Sequence, residues 1–239
     1  LFADTFNRYF EPENLRAAIR VLRAAGYDVF APTPAAGRPY CCGRTYLSAG
    51  MVDKARAEAE RLVTALYPLA RSGVRIVGLE PSCTLALRAE VPALLGTAQA
   101  EAVAEATLTF AELIEADRPD LPMSAEANGQ PVKLHGHCHQ KAFDLVKPAE
   151  AVLRDIAGAE VEVIETSCCG MAGAFGYGRD TYDVSIQMAE ASLLPAVRAA
   201  PDEAAIVADG TSCRCQIGDG TGREAVHLAR HLDRLISGS

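Results

Sequence analysis

The stretch Ser167-Cys168-Cys169-Gly170 in the second half of the chain repeats a shorter one, Cys41-Cys42-Gly43, in the first half. Each cysteine pair is followed by a further motif, Pro81-Ser82-Cys83 in the first half and Thr211-Ser212-Cys213 in the second. Motifs that recur in the same order at similar spacing are the signature of an internal repeat. The sequence therefore predicts two copies of one structural unit.

The opening segments of the two copies are also similar. The first copy begins Leu1-Phe2-Ala3-Asp4-Thr5-Phe6, and the corresponding segment of the second is Leu134-His135-Gly136-His137-Cys138-His139. The second copy has a cysteine in this segment, whereas the first has Asp4-Thr5 in its place. The two copies are therefore expected to differ in the number of thiols that they offer.

Short apolar segments alternate with helical ones between the motifs, and such alternation favours parallel sheets. The predicted fold is α/β, with two tandem Rossmann-like βαβ repeats that carry small parallel sheets and are related by a pseudo-twofold duplication. We expect the repeats to span residues 1–120 and 131–239, joined by a proline-containing linker at residues 121–130. The predicted strands are residues 1–4, 27–30, 74–79, 132–134, 161–164 and 205–208, and the predicted helices are residues 15–22, 51–69, 103–114, 149–156, 182–194 and 224–236.

Composition and charge exclude some classes of function. The 239 residues carry a formal net charge of -8 at pH 7, which repels phosphate backbones, so nucleic acid is not an expected partner. No apolar run approaches the roughly 20 residues needed to span a bilayer, so a membrane is expected to be contacted only through a partner. Eight cysteines without a secretion signal predict a cytoplasmic protein, which partners can hold at the inner face of the membrane. The chain begins with Leu1 in a strand-like segment, so we expect it to be part of a longer polypeptide.

Most of the cysteines are expected at one edge of a sheet, because loops at the carboxyl ends of parallel strands meet there. Those at or just beyond predicted strand ends are Cys41, Cys42, Cys83, Cys138, Cys168, Cys169 and Cys213. The second copy supplies five thiols in all. They are Cys138, Cys168, Cys169, Cys213 and Cys215. Thiolates are soft ligands, and four of them satisfy a simple iron-sulfur cluster or a structural zinc ion. Two adjacent cysteines cannot both bind one small ion without strain in the backbone, whereas a multi-iron cluster offers each a separate atom. The pattern therefore favours iron over zinc.

Taken together, these motifs resemble the cysteine-rich CCG domain family, found in heterodisulfide reductase B subunits and in iron-sulfur subunits of glycolate, lactate and anaerobic glycerol-3-phosphate dehydrogenases. The resemblance covers almost the whole chain and is closest to the version fused behind FAD-linked oxidases. It rests on the stretches Cys41-Cys42-Gly43-Arg44, Leu79-Glu80-Pro81-Ser82-Cys83, Ser167-Cys168-Cys169-Gly170-Met171-Ala172-Gly173 and Thr211-Ser212-Cys213-Arg214.

The resemblance implies a ligand set for the second copy. In the family, a complete copy supplies one early cysteine, the CCG pair and a late cysteine motif to a four-iron (4Fe-4S) cluster, which is non-cubane in some members. The matching residues here are Cys138, Cys168, Cys169 and Cys213. Cys215 is a further candidate ligand, although its spacing is Cys-x-Cys where the family has Cys-x-x-Cys.

The ligand set that the resemblance implies for the first copy is incomplete. Only Cys41, Cys42 and Cys83 match, so this copy is expected to be empty, to hold a weaker metal site such as zinc, or to lend its thiols across the interface between the copies. The alternative is that these three cysteines are simply small buried hydrophobic residues left from the duplication.

Histidines offer further candidate ligands. His135, His137 and His139 alternate around Cys138, and we take His137 as a candidate metal ligand or as a proton carrier linked to cluster reduction. The alternative is that they are polar loop residues hydrogen-bonded to the backbone. His227 and His231 lie four residues apart on a predicted helix, where an exposed polar face is the simpler interpretation.

These observations lead to one functional hypothesis and two alternatives. The chain is predicted to be an electron-transfer module that passes electrons from a flavin, FAD, on an upstream domain or partner to a quinone or another carrier. The resemblance implies a dehydrogenase of lactate- or glycolate-type 2-hydroxy acids or of glycerol-3-phosphate, in which this chain is not catalytic alone. The alternatives are a thiol-disulfide reductase and a zinc-stabilised interaction module.

Overall fold

The computed structural model describes residues 1–34 and 37–236, which form two compact units. The first unit is Leu1–Leu113 and the second is Ile114–Ser239. Residues 121–130, the predicted linker, lie in the second unit. There the amide of Ser124 donates to the carbonyl of Leu235 at 2.7 Å. Each unit contains one of the two cysteine pairs.

The first unit has a small parallel sheet surrounded by helices. Strands β1 (Ile76–Gly78) and β2 (Thr107–Thr109) pair in parallel, and Phe2 adds a single parallel bridge to Gly78. Cys42 and Cys83 belong to the apolar core that packs against this sheet. The helices are α1 (Thr5–Tyr9), α2 (Pro12–Ala24), α3 (Arg44–Ser48), α4 (Val52–Arg71), α5 (Pro81–Arg88), α6 (Glu90–Leu95), α7 (Ala98–Glu105) and α8 (Phe110–Asp117), the last of which runs across the division between the units.

The second unit has a four-stranded parallel sheet in the order β4-β3-β5-β6. The strands are β3 (Pro131–His135), β4 (Glu160–Val163), β5 (Ala205–Ala208) and β6 (Ala225–Val226). The helices are α9 (Cys138–Ala142), α10 (Val146–Ala151), α11 (Tyr182–Glu190), α12 (Leu193–Ala199), α13 (Thr211–Thr221) and α14 (Leu228–Leu235), with short 3-10 helices at Ala125–Ala127 and Phe175–Tyr177 and a π-helix at Val152–Ile156. Cys169 and Cys213 lie in the core of this unit.

Several predicted elements differ from the structure. Residues 27–30 form no strand, because their backbone joins no ladder, and the Phe30 side chain is 50% exposed. The helix predicted at residues 103–114 is interrupted by β2, since the β-branched Thr107 and Thr109 favour a strand and pair with β1. The helix predicted at residues 224–236 begins only after β6, and the one predicted at residues 182–194 is divided into α11 and α12.

The predicted fold class is confirmed: the chain is α/β with a small parallel sheet in each unit. The strand predicted at residues 205–208 coincides with β5, and the predicted helix at residues 51–69 is α4. Among the residues that the structure describes, no helix has the length and apolar character required to cross a membrane.

Candidate functional site

Four cysteines of the second unit lie where three neighbouring strands end. Cys138 is the first residue of α9, three residues after β3 ends, and Cys213 lies in the first turn of α13, after β5. Cys168 and Cys169 lie in the loop that follows β4. Because these three strands are adjacent and parallel, their carboxyl ends meet at one edge, and the four thiols are brought together there.

The four thiols form one continuous chain of hydrogen-bonding contacts. Cys138 contacts Cys168, Cys168 contacts Cys169, and Cys169 contacts Cys213. The chain runs from the surface inward, since Cys138 is exposed whereas Cys169 and Cys213 are 4% and 1% exposed.

The loop that carries the cysteine pair depends on a glycine. Gly170 has φ +87°, and a Cβ atom there would lie 2.1 Å from the carbonyl oxygen of Ser185. Its amide also approaches the sulfur of Cys168 at 3.4 Å. A larger residue would therefore be excluded both by the left-handed conformation and by a clash with backbone.

The pKa values of these thiols alternate along the chain. The contacts from Cys138 and Cys169 lower the pKa of Cys168, and the contact from Cys169 lowers that of Cys213. Conversely, the contacts with Cys168 raise the pKa values of Cys138 and Cys169, and burial adds to both increases. Two of the four sulfurs are thus favoured as thiolates, which is the form that binds metal.

Positive charge and hydrogen-bond donors surround the inner part of this chain. The half-buried ammonium of Lys141 donates to Thr166 O at 2.6 Å and to Thr166 Oγ1 at 2.7 Å, just before the cysteine pair. Burial lowers the pKa of Lys141, while the nearby thiolates, Cys213 first, oppose that change. The imidazole of His135 also lowers the pKa of Cys213, after the larger effect of Cys169.

The histidines near the thiols have structural roles. His137 is the N-cap of α9: its Nδ1 accepts from the amide of His139 at 3.1 Å, and the side chain of Gln140 accepts in return from the amide of His137. This is a capping box, which fixes the residue before Cys138. Ligation of metal by His137 stays a prediction.

The other two histidines singled out from the sequence are buried rather than exposed, contrary to the simpler interpretation. Nδ1 of His227 caps α14 by accepting from the amide of Ala229 at 3.0 Å, and His231 is 3% exposed on the same helix. Nε2 of His231 has no hydrogen-bond partner, and burial lowers its pKa to about 4. The structure therefore gives them separate environments.

Cys215, the fifth candidate ligand, is half-buried on α13 and hydrogen-bonds to Tyr177. It packs against the same core as Cys169 and Cys213. Its side chain is thus engaged by the Phe175–Tyr177 3-10 helix, and its role as a ligand stays a prediction.

The first unit contains the same chain of contacts with a hydroxyl at its outer end. Thr5 hydrogen-bonds to Cys41, Cys41 to Cys42, and Cys42 to Cys83. Thr5 is the first residue of α1, and Cys138 is the first residue of α9. Three residues earlier in each unit, Phe2 bridges Gly78 and His135 pairs with Ala208. Thr5 is therefore the counterpart of Cys138. The sequence motifs alone do not distinguish Asp4 from Thr5 as the residue equivalent to Cys138.

Carboxylates replace the cationic surroundings in the first unit. Asp4 and Glu80 are 1% and 3% exposed. The contact with Cys42 lowers the pKa of Cys83, but burial and then these two carboxylates raise it, to about 11 overall. The contact with Cys42 raises the pKa of Cys41, and burial adds to that increase. The contact with Cys41 lowers the pKa of Cys42, but the contact with Cys83 and burial together outweigh it and raise that pKa overall.

The thiol chains do not surround a single point. Within residues 1–34 and 37–236, no three His, Cys, Asp or Glu side chains are arranged to hold one metal ion. In the second unit the donor set nevertheless suits a polynuclear iron-sulfur cluster, which binds each thiolate through a different iron atom. A second observation agrees with this fit: the buried imidazole of His135 lies beside Cys213, lowers the pKa of that thiol and could donate to a ligand sulfur there.

Comparisons with known proteins agree with the geometry. The sequence profile of the cysteine-rich (CCG) domain matches residues 5–88 and 132–218, one segment in each unit. The chain is 27% identical over 244 residues to one subunit of the anaerobic glycerol-3-phosphate dehydrogenase of Escherichia coli K12, covering 99% of this chain and 58% of that protein. It is 31% identical over 230 residues to D-2-hydroxyglutarate dehydrogenase of Pseudomonas putida, covering 95% of this chain and 21% of that protein.

These matches confirm the resemblance predicted from the motifs. They also agree with the prediction of an oxidoreductase component, because the relatives are dehydrogenases or dehydrogenase subunits. The chain spans about 58% of the length of the glycerol-3-phosphate dehydrogenase subunit and about one fifth of the hydroxyglutarate dehydrogenases.

Proposed function

Because this chain belongs to the cysteine-rich CCG domain family, we propose that its second unit holds an iron-sulfur cluster and transfers electrons within a flavin-dependent dehydrogenase. The observation that carries the proposal is the chain of four thiols that lies beside Lys141 and His135 at the edge of the sheet. The residues that would hold the cluster are Cys138, Cys168, Cys169 and Cys213.

The chain's own residues would each contribute to this role. A bound cluster supplies a site that gains and loses one electron at a time. Cys169 and Cys213, which are buried, would keep water away from the inner part of the site, and the exposed Cys138 marks the side open to solvent. Lys141 would offset the negative charge of the thiolates, and Nε2 of His135 would donate to a sulfur.

The names of the relatives guide the proposal for the rest of the protein. One is a subunit of an anaerobic glycerol-3-phosphate dehydrogenase, and others are D-2-hydroxyglutarate dehydrogenases. We therefore expect an FAD-containing dehydrogenase domain or subunit as electron donor, a 2-hydroxy acid or a phosphorylated polyol as its substrate, and a quinone or another carrier as acceptor. The relatives are dehydrogenases rather than disulfide reductases, which favours electron transfer over the thiol-disulfide alternative.

For the first unit we propose no cluster. Its outer thiol is replaced by the hydroxyl of Thr5, and the carboxylates of Asp4 and Glu80 disfavour further negative charge on Cys83. Zinc in this unit stays an expectation from the sequence. The side chains of Asp4, Cys41, Cys42 and Cys83 would have to rearrange to hold one ion, because no three of them surround a single point in the described structure.

The test is to purify the protein without oxygen and to count iron, zinc and acid-labile sulfide per chain. We expect about four iron and four sulfide. Cys213→Ser should remove the cluster and its electron paramagnetic resonance signal, whereas the matched change Cys83→Ser in the first unit should retain both. Zinc without sulfide, or equal loss in the two variants, would overturn the proposal. Cys215→Ser in the same series tests the predicted fifth ligand.

A further inference from the structure

A buried carboxylate that the proposed function does not use lies directly after β5. Asp209 is 6% exposed, and one carboxylate oxygen, Oδ2, accepts from Nε2 of Gln140 at 2.9 Å. The other oxygen, Oδ1, accepts from the amide of Leu228 at 3.0 Å and lies 3.5 Å from Nε2 of His227. Asp209 therefore connects the end of β5 with the starts of both α9 and α14.

Gln140 extends this connection to the residue before Cys138. It is 2% exposed, and its Oε1 accepts from the amide of His137 at 2.9 Å. The opposite side of His137 is also fixed, because a Cβ atom at Gly210 would lie 2.4 Å from its ring and 3.2 Å from the sulfur of Cys213. One hydrogen-bonded path thus runs from His137, next to Cys138, to Asp209, four residues before Cys213.

The first unit lacks this path although its backbone is equivalent. Asn7 occupies the position of Gln140, but its Nδ2 donates to Asp4 at 2.7 Å and its oxygen accepts from Asn14 at 2.8 Å. Leu79 occupies the position of Asp209 and is buried as an apolar residue. The connection between the two thiol-bearing helix starts is therefore specific to the unit in which we propose a cluster.

We propose that Gln140 and Asp209 are positioning residues, which hold the Cys138 segment and the Cys213 segment in register for cluster binding. This inference rests on the proposed function. Thiols that are fixed before metal enters lose less conformational freedom when it binds, and they retain the metal longer.

The direction of the hydrogen bonds provides a sharp test. In Asp209→Asn, the new amide faces the amide of Gln140. If Gln140 turns to accept from it, the amide of His137 loses its acceptor, so one bond is lost in either arrangement. The double variant Gln140→Glu/Asp209→Asn restores every bond. The introduced carboxylate would accept from His137 and from the introduced amide, the oxygen of that amide would still accept from Leu228, and the net charge would be unchanged.

The measurement is the rate at which iron leaves the anaerobically loaded protein in the presence of a chelator. We expect Asp209→Asn to release iron about tenfold faster than the parent, and the double variant to return to within about threefold of it. Val152→Ala, which truncates a buried side chain of the same unit on its π-helix, should lower stability without changing the release rate. Equal release from Asp209→Asn and the parent, or a folded double variant that releases iron as fast as Asp209→Asn, would overturn the proposal.

A second readout needs no cluster. Hydrogen exchange of the metal-free protein should show faster exchange at the amide of His137 in Asp209→Asn and recovery in the double variant. If the parent binds no iron, the proposed function fails, whereas these exchange rates still report whether the connection orders the two segments. Unchanged exchange at His137 would overturn the positioning role independently of iron.

Discussion

The two units present equivalent chains of side chains on the same backbone framework, but with different groups around them. Counterpart positions carry a hydroxyl and a thiol, Thr5 and Cys138, at the outer end. The N-caps of the equivalent helices are a carboxylate in the first unit and an imidazole in the second. The further counterparts are Phe2 and His135, Asn7 and Gln140, Arg8 and Lys141, and Leu79 and Asp209.

From this difference we expect that the cysteine pair alone does not define a metal site. In the first unit burial raises the pKa values of all three thiols, and the carboxylates add to the increase at Cys83. In the second unit the pKa values of Cys168 and Cys213 are lowered. The first causes of these lower values are the neighbouring thiols Cys138 and Cys169, with histidines as smaller ones at Cys213. Metal binding releases thiol protons, so we expect the second unit to bind metal more readily than the first.

The largest expected effect concerns the carboxylate of the first unit. Burial and then Glu80 raise the pKa of Asp4 to about 6. A raised pKa in the folded state stabilises the protein below the unfolded value of 3.8, and this contribution is lost as the pH rises through 6. Asp4→Asn should therefore change the difference in unfolding free energy between pH 4 and pH 7 by about 2.4 kcal/mol. Hydrogen exchange followed separately in each unit measures the unfolding free energy at each pH. If Asp4→Asn leaves the pH dependence of the first unit unchanged, the prediction is wrong.

The second unit should respond to pH in the opposite sense. Burial, with a smaller effect of Arg234, lowers the pKa of His231 to about 4, so its neutral form is favoured in the fold. The neutral imidazole contributes its full share of stability above pH 6.5, the unfolded pKa, and this share is lost as the pH falls toward 4. At pH 5 the loss in unfolding free energy is about 2 kcal/mol. His231→Leu should remove this loss. Asp4→Asn is the matched control and should leave the second unit's pH dependence unchanged; equal sensitivity of both units in every variant would contradict the comparison.

A smaller effect is expected from the ammonium beside the thiols. Lys141→Gln removes a positive charge that favours the more anionic, reduced state of a bound cluster. Its midpoint potential should fall by roughly 50 mV, which is close to tenfold in the one-electron equilibrium. Potentiometric titration followed by electron paramagnetic resonance measures the shift. Lys147→Gln, which removes an exposed lysine paired with Asp144, should leave the potential within error of the parent.

The sequence predicted the parts of this architecture that depend on local pattern. Strand β5 and helix α4 follow their hydrophobic periodicity, and the cysteine motifs mark the ends of strands. Strand β2 was not predicted, because its three residues lie between helical segments and its two β-branched threonines are too short a signal without the pairing with β1. Helices α5 and α13 were not predicted at all, since both open with a cysteine motif and α13 has little hydrophobic periodicity.

The site was predictable in composition but not in its surroundings. Parallel strands led us to expect that one edge of the sheet in the second unit would bring together Cys138, Cys168, Cys169 and Cys213. The connection from Gln140 to Asp209 spans 69 residues and depends on the tertiary fold. One local signal was available: Gln140 stands three residues after His137, which is the spacing of a capping box, although histidine is not the usual first residue of that motif.

The inward course of the second thiol chain also determines how oxidation would damage it. Cys138 is exposed and Cys168 half-buried, and the lowered pKa of Cys168 makes it the more reactive of the two outer thiols. Reactivity toward peroxide follows thiolate character and access, so in the metal-free protein sulfenic acid would form first at Cys168 and then condense with the Cys138 thiol, with loss of water, to a disulfide. Cys169 and Cys213 would remain reduced beneath it. Cys138 and Cys168 would thus be oxidised before the two buried thiols, and a mild reductant would reduce the disulfide between them.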